Sequence, residues 1–126
     1  MRRTLALPLL LLAACGGPTF EQPDASTFRD GPCRAVAGNI LSAGKLAHEI
    51  GASRSPSTKV RTDLKTAQDG LIAVRPALPT ELSKPMEDLI VAIGLSRLRA
   101  DSNSYDVSVT KGLASAYDGV VTACTT

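Results

Sequence analysis

The chain predicts an all-α fold, a four-helix up-down-up-down bundle, on three observations. From Pro32 onward the apolar residues recur at steps of three and four. The breaks between these runs are short and rich in Gly, Pro, Ser and Asn, and short connections favour antiparallel neighbours. At 126 residues the chain is long enough for one domain of modest core and not for two, so residues 32–126 are expected to form a single helical unit.

The first helix is expected to start at Asp30-Gly31-Pro32, because proline near the first helical position lacks only an N–H that would be unpaired there anyway. It carries Val36, Ile40, Ala43, Ala47 and Ile50 on one stripe and stops at Gly51. The second has the clearest pattern. Val60, Leu64, Ala67, Leu71, Val74 and Leu78 alternate steps of four and three, while Lys59, Arg61, Asp63, Lys65, Gln68 and Asp69 take the other faces. Ser55-Pro56 or Ser57 starts it, and Pro76 and Pro79 end it.

The third helix is expected to begin near Ser83-Lys84-Pro85, with Thr80-Glu81-Leu82 either a preceding turn or an extension across a kink at Pro85. Met86, Leu89, Ile90, Ile93 and Leu98 give it the broadest apolar face, so it is expected to be the most buried, ending near Asp101. The fourth follows Ser102-Asn103-Ser104 and places Val109, Leu113, Ala116, Val120 and Ala123 on one stripe. Val107 to Thr110 alternates like a strand and Val120-Val121-Thr122 has β propensity, so a terminal hairpin competes. The longer period, which persists through the segment, favours helix. Gly38, Gly44, Gly70, Gly94, Gly112 and Gly119 fall inside these helices, each costing up to about 1 kcal/mol relative to alanine, which close packing or a cross-link must offset.

The N-terminus has a different composition. Arg2 and Arg3 form a positive n-region, Leu5 to Leu12 an apolar h-region, and Ala13-Ala14 the small residues a signal peptidase requires. Broken by Pro8, the run is too short for a membrane span, which needs roughly 20 apolar residues. Leu12-Ala13-Ala14-Cys15 resembles the lipobox of bacterial lipoproteins: an aliphatic residue, two small residues, then cysteine. The resemblance covers this segment alone. It implies removal of residues 1–14 as a signal peptide, cleavage between Ala14 and Cys15, and attachment of diacylglycerol to the Cys15 sulfur, a thioether link that only a thiol can form. At about 0.8 kcal/mol per buried CH₂, one acyl chain binds marginally, while the two or more on one cysteine anchor stably.

Ala6 stands where a twin-arginine signal would carry a bulky apolar residue, and the n-region is minimal, so Arg2-Arg3 is read as an ordinary n-region. Gly16 follows Cys15, so the aspartate associated with inner-membrane retention in some Gram-negative lipoproteins is absent. The expected location is the outer face of the cell membrane, or the outer membrane of a Gram-negative cell. Residues 15–31 are expected to form the lipidated cysteine and a flexible tether, because Gly-Gly-Pro, Gln-Pro-Asp and Asp-Gly-Pro follow one another with no apolar period. Within it Phe20 and Phe28 are read as isolated exposed aromatics, with contact to the bilayer interface or to the end of the domain as alternatives.

With Cys15 assigned to lipid, Cys33 and Cys124 remain in a chain that reaches an oxidising compartment, and they are expected to pair. In an up-down-up-down bundle the start of the first helix and the end of the fourth share one end, so the topology agrees. Two free buried thiols are the alternative. The formal charge is +2, but Arg2 and Arg3 are two of the 14 basic residues, which leaves 12 against 12 acidic residues after cleavage. A neutral domain without Trp carries no nucleic-acid footprint and no aromatic stacking platform.

Candidate chemistry is sparse. His48, the only histidine, is expected near a helix C-terminus and makes no metal cluster alone. Asp101 to Asp106 begins like a calcium loop but departs from it at Tyr105, Asp106 and Gly112, and is read as a capped interhelical loop. Glu87-Asp88 is read as first-turn acid on a helix, and Arg97 and Arg99 as last-turn bases. No catalytic set, metal or cofactor is expected. The function these residues imply is a lipid-anchored envelope protein whose non-catalytic helical domain binds a protein partner; a small-molecule or ion carrier with a pocket between helices is the alternative.

Overall fold

The computed structural model describes residues 20–51 and 55–126. It is all-helical, with α1 (Pro32–Ala35), α2 (Ala37–Ile50), α3 (Thr58–Val74), α4 (Thr80–Asp101) and α5 (Val107–Thr125), and single 3-10 turns at Ala25–Thr27 and Arg75–Ala77. No strand occurs among the described residues, so helix replaces the hairpin alternative for the last segment. The principal contacts run α2 to α3, α3 to α4, α4 to α5 and α5 back to α2. This helical bundle is closed by a disulfide between Cys33 and Cys124, whose Cα atoms lie 5.6 Å apart.

The first expected helix is split at Val36, where φ is −114° and ψ 15°. Its stripe nevertheless continues, because the Ile40 N–H donates to the Val36 carbonyl at 3.0 Å and Val36, Ile40, Ala43, Ala47 and Ile50 are all buried. Gly51 ends α2 at φ 29°, a conformation only glycine adopts cheaply, and its N–H donates to the Ala47 carbonyl at 3.0 Å. At the start of α3 the Ser57 hydroxyl accepts from the Val60 N–H at 3.2 Å. Asp106 caps α5, accepting from the Ser108 N–H at 2.9 Å and from the Ser108 hydroxyl, and these bonds hold its carboxyl below the usual range.

α4 departs from expectation in two ways. It starts at Thr80 with Pro79 as its N-cap, so Pro85 lies inside the helix; the cost is one missing donor toward the Glu81 carbonyl in an element of 22 residues. And of its expected apolar face Met86, Leu89, Ile90 and Ile93 are buried, but Leu98 is 63% exposed, and the core stripe continues instead through Ser96 and Ala100. Ser96 donates its hydroxyl to the Ala92 carbonyl at 2.9 Å, so no polar group is orphaned by its burial. Around it the interior is filled by Ile40, Leu64, Leu71, Leu89, Ile93 and Leu113, each fully buried.

Residues 20–31, expected to belong to the tether, lie against the bundle instead. Phe28 is 1% exposed and belongs to the core. Its carbonyl accepts from Arg34 Nε at 3.0 Å and Nη2 at 2.8 Å, and the Arg29 N–H donates to the Cys124 carbonyl at 2.8 Å. Farther out, Gln22 Nε2 donates to the Leu41 carbonyl at 2.7 Å and to the Tyr117 hydroxyl at 3.0 Å, and Phe20 stacks on His48 with centroids 4.5 Å apart. Neither phenylalanine is an isolated exposed aromatic. The strap showed no period because its partners lie on α1, α2 and α5 and not within itself. Residues 15–19, the rest of the expected tether, fall outside the described residues.

α2 and α5 approach closely at Gly44, where the Tyr117 ring covers the backbone; a Cβ there would lie 2.5 Å from Cε1 and 2.7 Å from Cδ1. The ring cannot easily retreat, because its hydroxyl is held by Gln22. Gly44→Ala is therefore expected to cost about 1–3 kcal/mol by overpacking, despite a gain in helix propensity of up to about 1 kcal/mol. Urea denaturation checks this, with Gly38→Ala as the control, since a Cβ at Gly38 meets nothing within 4 Å. A Gly44→Ala midpoint at or above that of the parent would contradict the contact.

Candidate functional site

A groove lies on the described surface between α4 and α5. On α4, Val91, Leu95 and Leu98 stand at i, i+4 and i+7 and are 58%, 42% and 63% exposed. They form a second apolar face, turned away from the core stripe. On α5 the facing positions are Ser108, Gly112, Ser115 and Gly119, spaced by four, three and four residues. Between the two lies an open cavity of about 480 Å³ with Ala92, Val109, Leu113 and Ala116 beneath it. A Cβ at Gly112 or Gly119 would meet nothing within 4 Å. Alanine would fit at either position and favour the helix by up to about 1 kcal/mol, so glycine here leaves room at the expense of stability.

The groove is suited to holding apolar surface. Among its described lining residues the ionisable group is Asp88, whose carboxylate is paired with Lys84 Nζ at 2.7 Å. Ser108, the hydroxyl nearest a carboxylate, is engaged in the Asp106 cap. Neither forms a nucleophile and base pair with a third group to orient it.

The residues singled out in the sequence are dispersed. His48 is exposed beneath Phe20, near the end of α2 as expected. Because α4 starts at Thr80, Glu87 and Asp88 lie in its third turn and not its first; Glu87 pairs with Arg75 at 3.0 Å, and the first-turn acid is Glu81. Arg97 donates to Gln68, while Arg99 donates to the Ser104 carbonyl at 3.0 Å and faces Asp106 at 3.9 Å, so the two arginines share no ligand site. The Asp101 to Asp106 segment is the α4–α5 connection: Asn103 adopts φ 58°, Asp101 lies 3.8 Å from Arg61, and Asp106 caps α5. Among the described residues no group of three or more His, Cys, Asp or Glu side chains is placed to hold a metal ion.

Burial pushes the Tyr117 phenol above its usual range, against the opposing hydrogen bond from Gln22. Cys33 and Cys124 are buried at 1% and 0% exposure. Ala14 and Cys15, the expected cleavage and lipidation positions, lie outside the described residues, as does the whole 1–14 segment. Among the described helices none is long and apolar enough to cross a membrane.

The groove itself was missed in the sequence, although a signal existed. Val91, Leu95 and Leu98 already carry helical spacing, offset from the stripe of Leu89 and Ile93. What defines the site is thus a class of protein, a disulfide-closed helical bundle bearing an apolar surface groove. No family model, curated protein or solved structure matches the chain.

Proposed function

We propose that this is a lipid-anchored cell-envelope protein whose non-catalytic domain, a four-helix up-down-up-down bundle, captures an apolar helical segment of a protein partner in the α4–α5 groove. The observation that carries this reading is the exposed Val91 and Leu95 on α4, which line the groove opposite the small residues of α5. From Ser108 to Gly119 the groove runs roughly 17 Å at about 1.5 Å per residue, which matches about three turns of a docked helix. Ser108, Ser115 and Asp88 supply a polar rim.

The up-down-up-down order is supported by which ends meet. Arg61, in the first turn of α3, reaches Asp101 at the end of α4, Arg75 just beyond α3 reaches Glu87, and Cys124 reaches Cys33. Export and the anchor rest on the Leu12 to Cys15 motif: diacylglycerol on Cys15 would hold the protein on the outer face of the cell membrane, or on the outer membrane in a Gram-negative cell. A small-molecule carrier is the second reading, favoured by a groove volume of about 480 Å³. The filled interior, with Leu64, Leu89 and Ile93 at 0% exposure, would confine any such ligand to the surface groove.

A photo-crosslinking amino acid at Leu95, in intact envelopes, tests the partner. The expected result is a protein adduct of discrete mass that is absent when the crosslinker sits at exposed Thr66 and is lost when Gly112→Leu fills the groove. No adduct specific to Leu95, with a small molecule retained in native mass spectrometry, would replace partner binding by the carrier. For the anchor, Cys15→Ser is expected to abolish lipid labelling and membrane retention, and continued acylation of that variant would refute the proposal.

A further inference from the structure

We propose that the partner docked on the α4–α5 groove is a second copy of this chain, related by a two-fold axis that runs α5 of one copy antiparallel to α5 of the other. The inference rests on the protein-docking role of the groove proposed above and names the partner.

A two-fold contact joins a surface to itself, so that surface must complement its own image. This face does so in charge. Lys111 and Asp118 are both exposed on α5 and stand two turns apart, on one side of the helix and roughly 10 Å from each other. At about 100° per residue they fall to one flank of the Ser108, Gly112, Ser115 and Gly119 wall, while Val109 and Ala116, which line the groove toward α4, fall to the other. Among the described residues neither charge takes part in an ion pair. Lys59, Lys65 and Lys84 each hold an aspartate four residues on, whereas four residues after Lys111 stands Ser115 of the groove wall.

A two-fold axis perpendicular to α5 reverses the helix and keeps its flanks on the same side. Lys111 of each copy therefore meets Asp118 of the other, and the pair occurs twice. A two-fold axis parallel to α5 would put the flanks on opposite sides and leave these charges apart.

The apolar part of the face falls on the same axis. α4 and α5 are joined by residues 102–106, and from that connection Val91 and Leu95 are centred about 12 Å along α4, the two charges about 11 Å along α5. One axis thus also sets Val91 of each copy opposite Leu95 of the other. The α5 walls meet through side chains no larger than serine, which lets the two backbones come close. The two grooves become one space, in which Val91 and Leu95, 58% and 42% exposed in the single copy, are buried.

The test uses the full-length protein in intact envelopes, with the photo-crosslinking residue at Leu95 and two co-expressed copies that carry different epitope tags. The expected result is an adduct of twice the chain's mass that contains both tags. Its yield should fall about tenfold when both copies carry Lys111→Asp, or when both carry Asp118→Lys, since each change sets two like-charge contacts in place of two attractive ones. It should return to the parental yield when one copy carries Lys111→Asp and the other Asp118→Lys, because both contacts are then opposite in sign again. The mixed pair uses the same two chains, so its recovery also shows that neither single variant fails by misfolding. An adduct with another protein, and none containing both tags, overturns the second copy and leaves the groove as a docking site. A two-tag adduct indifferent to the charge changes overturns the antiparallel arrangement. No adduct at Leu95 overturns this inference and the docking reading together.

Discussion

Replacing Cys33 and Cys124 together by alanine is expected to remove on the order of 4–5 kcal/mol of stability, the chain-entropy value for a loop of about 100 residues. The two cysteines are separated by 91 positions. Domains of this size are stable by about 5–15 kcal/mol in total, so the pair decides whether the bundle is mostly folded at physiological temperature. Alanine is the right replacement because both sites are almost fully buried, and serine would add the desolvation of two hydroxyls to the loss of the bond. Urea denaturation of the double variant, and of the parent with and without reductant, measures the effect. A change below about 1 kcal/mol in both comparisons would show that the bond is not the staple of the fold. The parent should also show no titratable thiol from Cys33 or Cys124 before reduction.

Phe28→Ala is expected to cost about 3–5 kcal/mol, the range for truncating a buried aromatic. In a flexible tether the same change would be silent, because an exposed side chain loses nothing on truncation. At 1% exposure, inside a carbonyl clamp made by Arg34, Phe28 instead joins the core between the chain's entry and the disulfide. Phe28→Leu should retain most of the stability by preserving apolar volume, whereas Phe20→Ala should cost less than Phe28→Ala, since Phe20 is only half-buried. Equal urea midpoints for Phe28→Ala and the parent would return this segment to the role of a tether. The two predictions are linked, because the Arg29 N–H on the Cys124 carbonyl joins the strap to the last turn of α5. Loss of the disulfide should therefore also loosen residues 20–31, seen as faster amide exchange.

Several elements were legible residue by residue. The stripe of Val60, Leu64, Ala67 and Leu71 places α3, and the Val36 to Ile50 stripe places α2, because a helix that buries one face repeats every 3–4 residues regardless of its neighbours. Pairing of Cys33 with Cys124 followed from the compartment implied by the lipobox and from the expected meeting of chain ends. The start of α4 was less legible. Pro85 marked a boundary in the sequence, but a helix of 22 residues absorbs one missing hydrogen bond.

The candidate site was only half legible. The apolar residues of its α4 wall were readable as a second helical face, but their exposure was not, because Leu95 is as hydrophobic as the core residue Leu89 and only the position of α3 and α5 decides which is covered. The α5 wall was written as serines and glycines, which carry no hydrophobic signal. Gly44 and Gly112 look alike in the sequence; one is covered by the Tyr117 ring and the other opens into the groove.

By itself, then, the sequence determined the helical class, the stripes that place α2 and α3, and the cysteine pair. Each is a local pattern or a count, and its physical basis lies within one segment or in the oxidising compartment that the Leu12 to Cys15 motif implies. Only the tertiary structure decided that residues 20–31 are a strap and that α4 and α5 leave a groove. Both depend on surfaces from separate segments: the strap's hydrogen bonds end on α1, α2 and α5, and the groove exists because small residues on one helix stand beside an uncovered apolar face on the next.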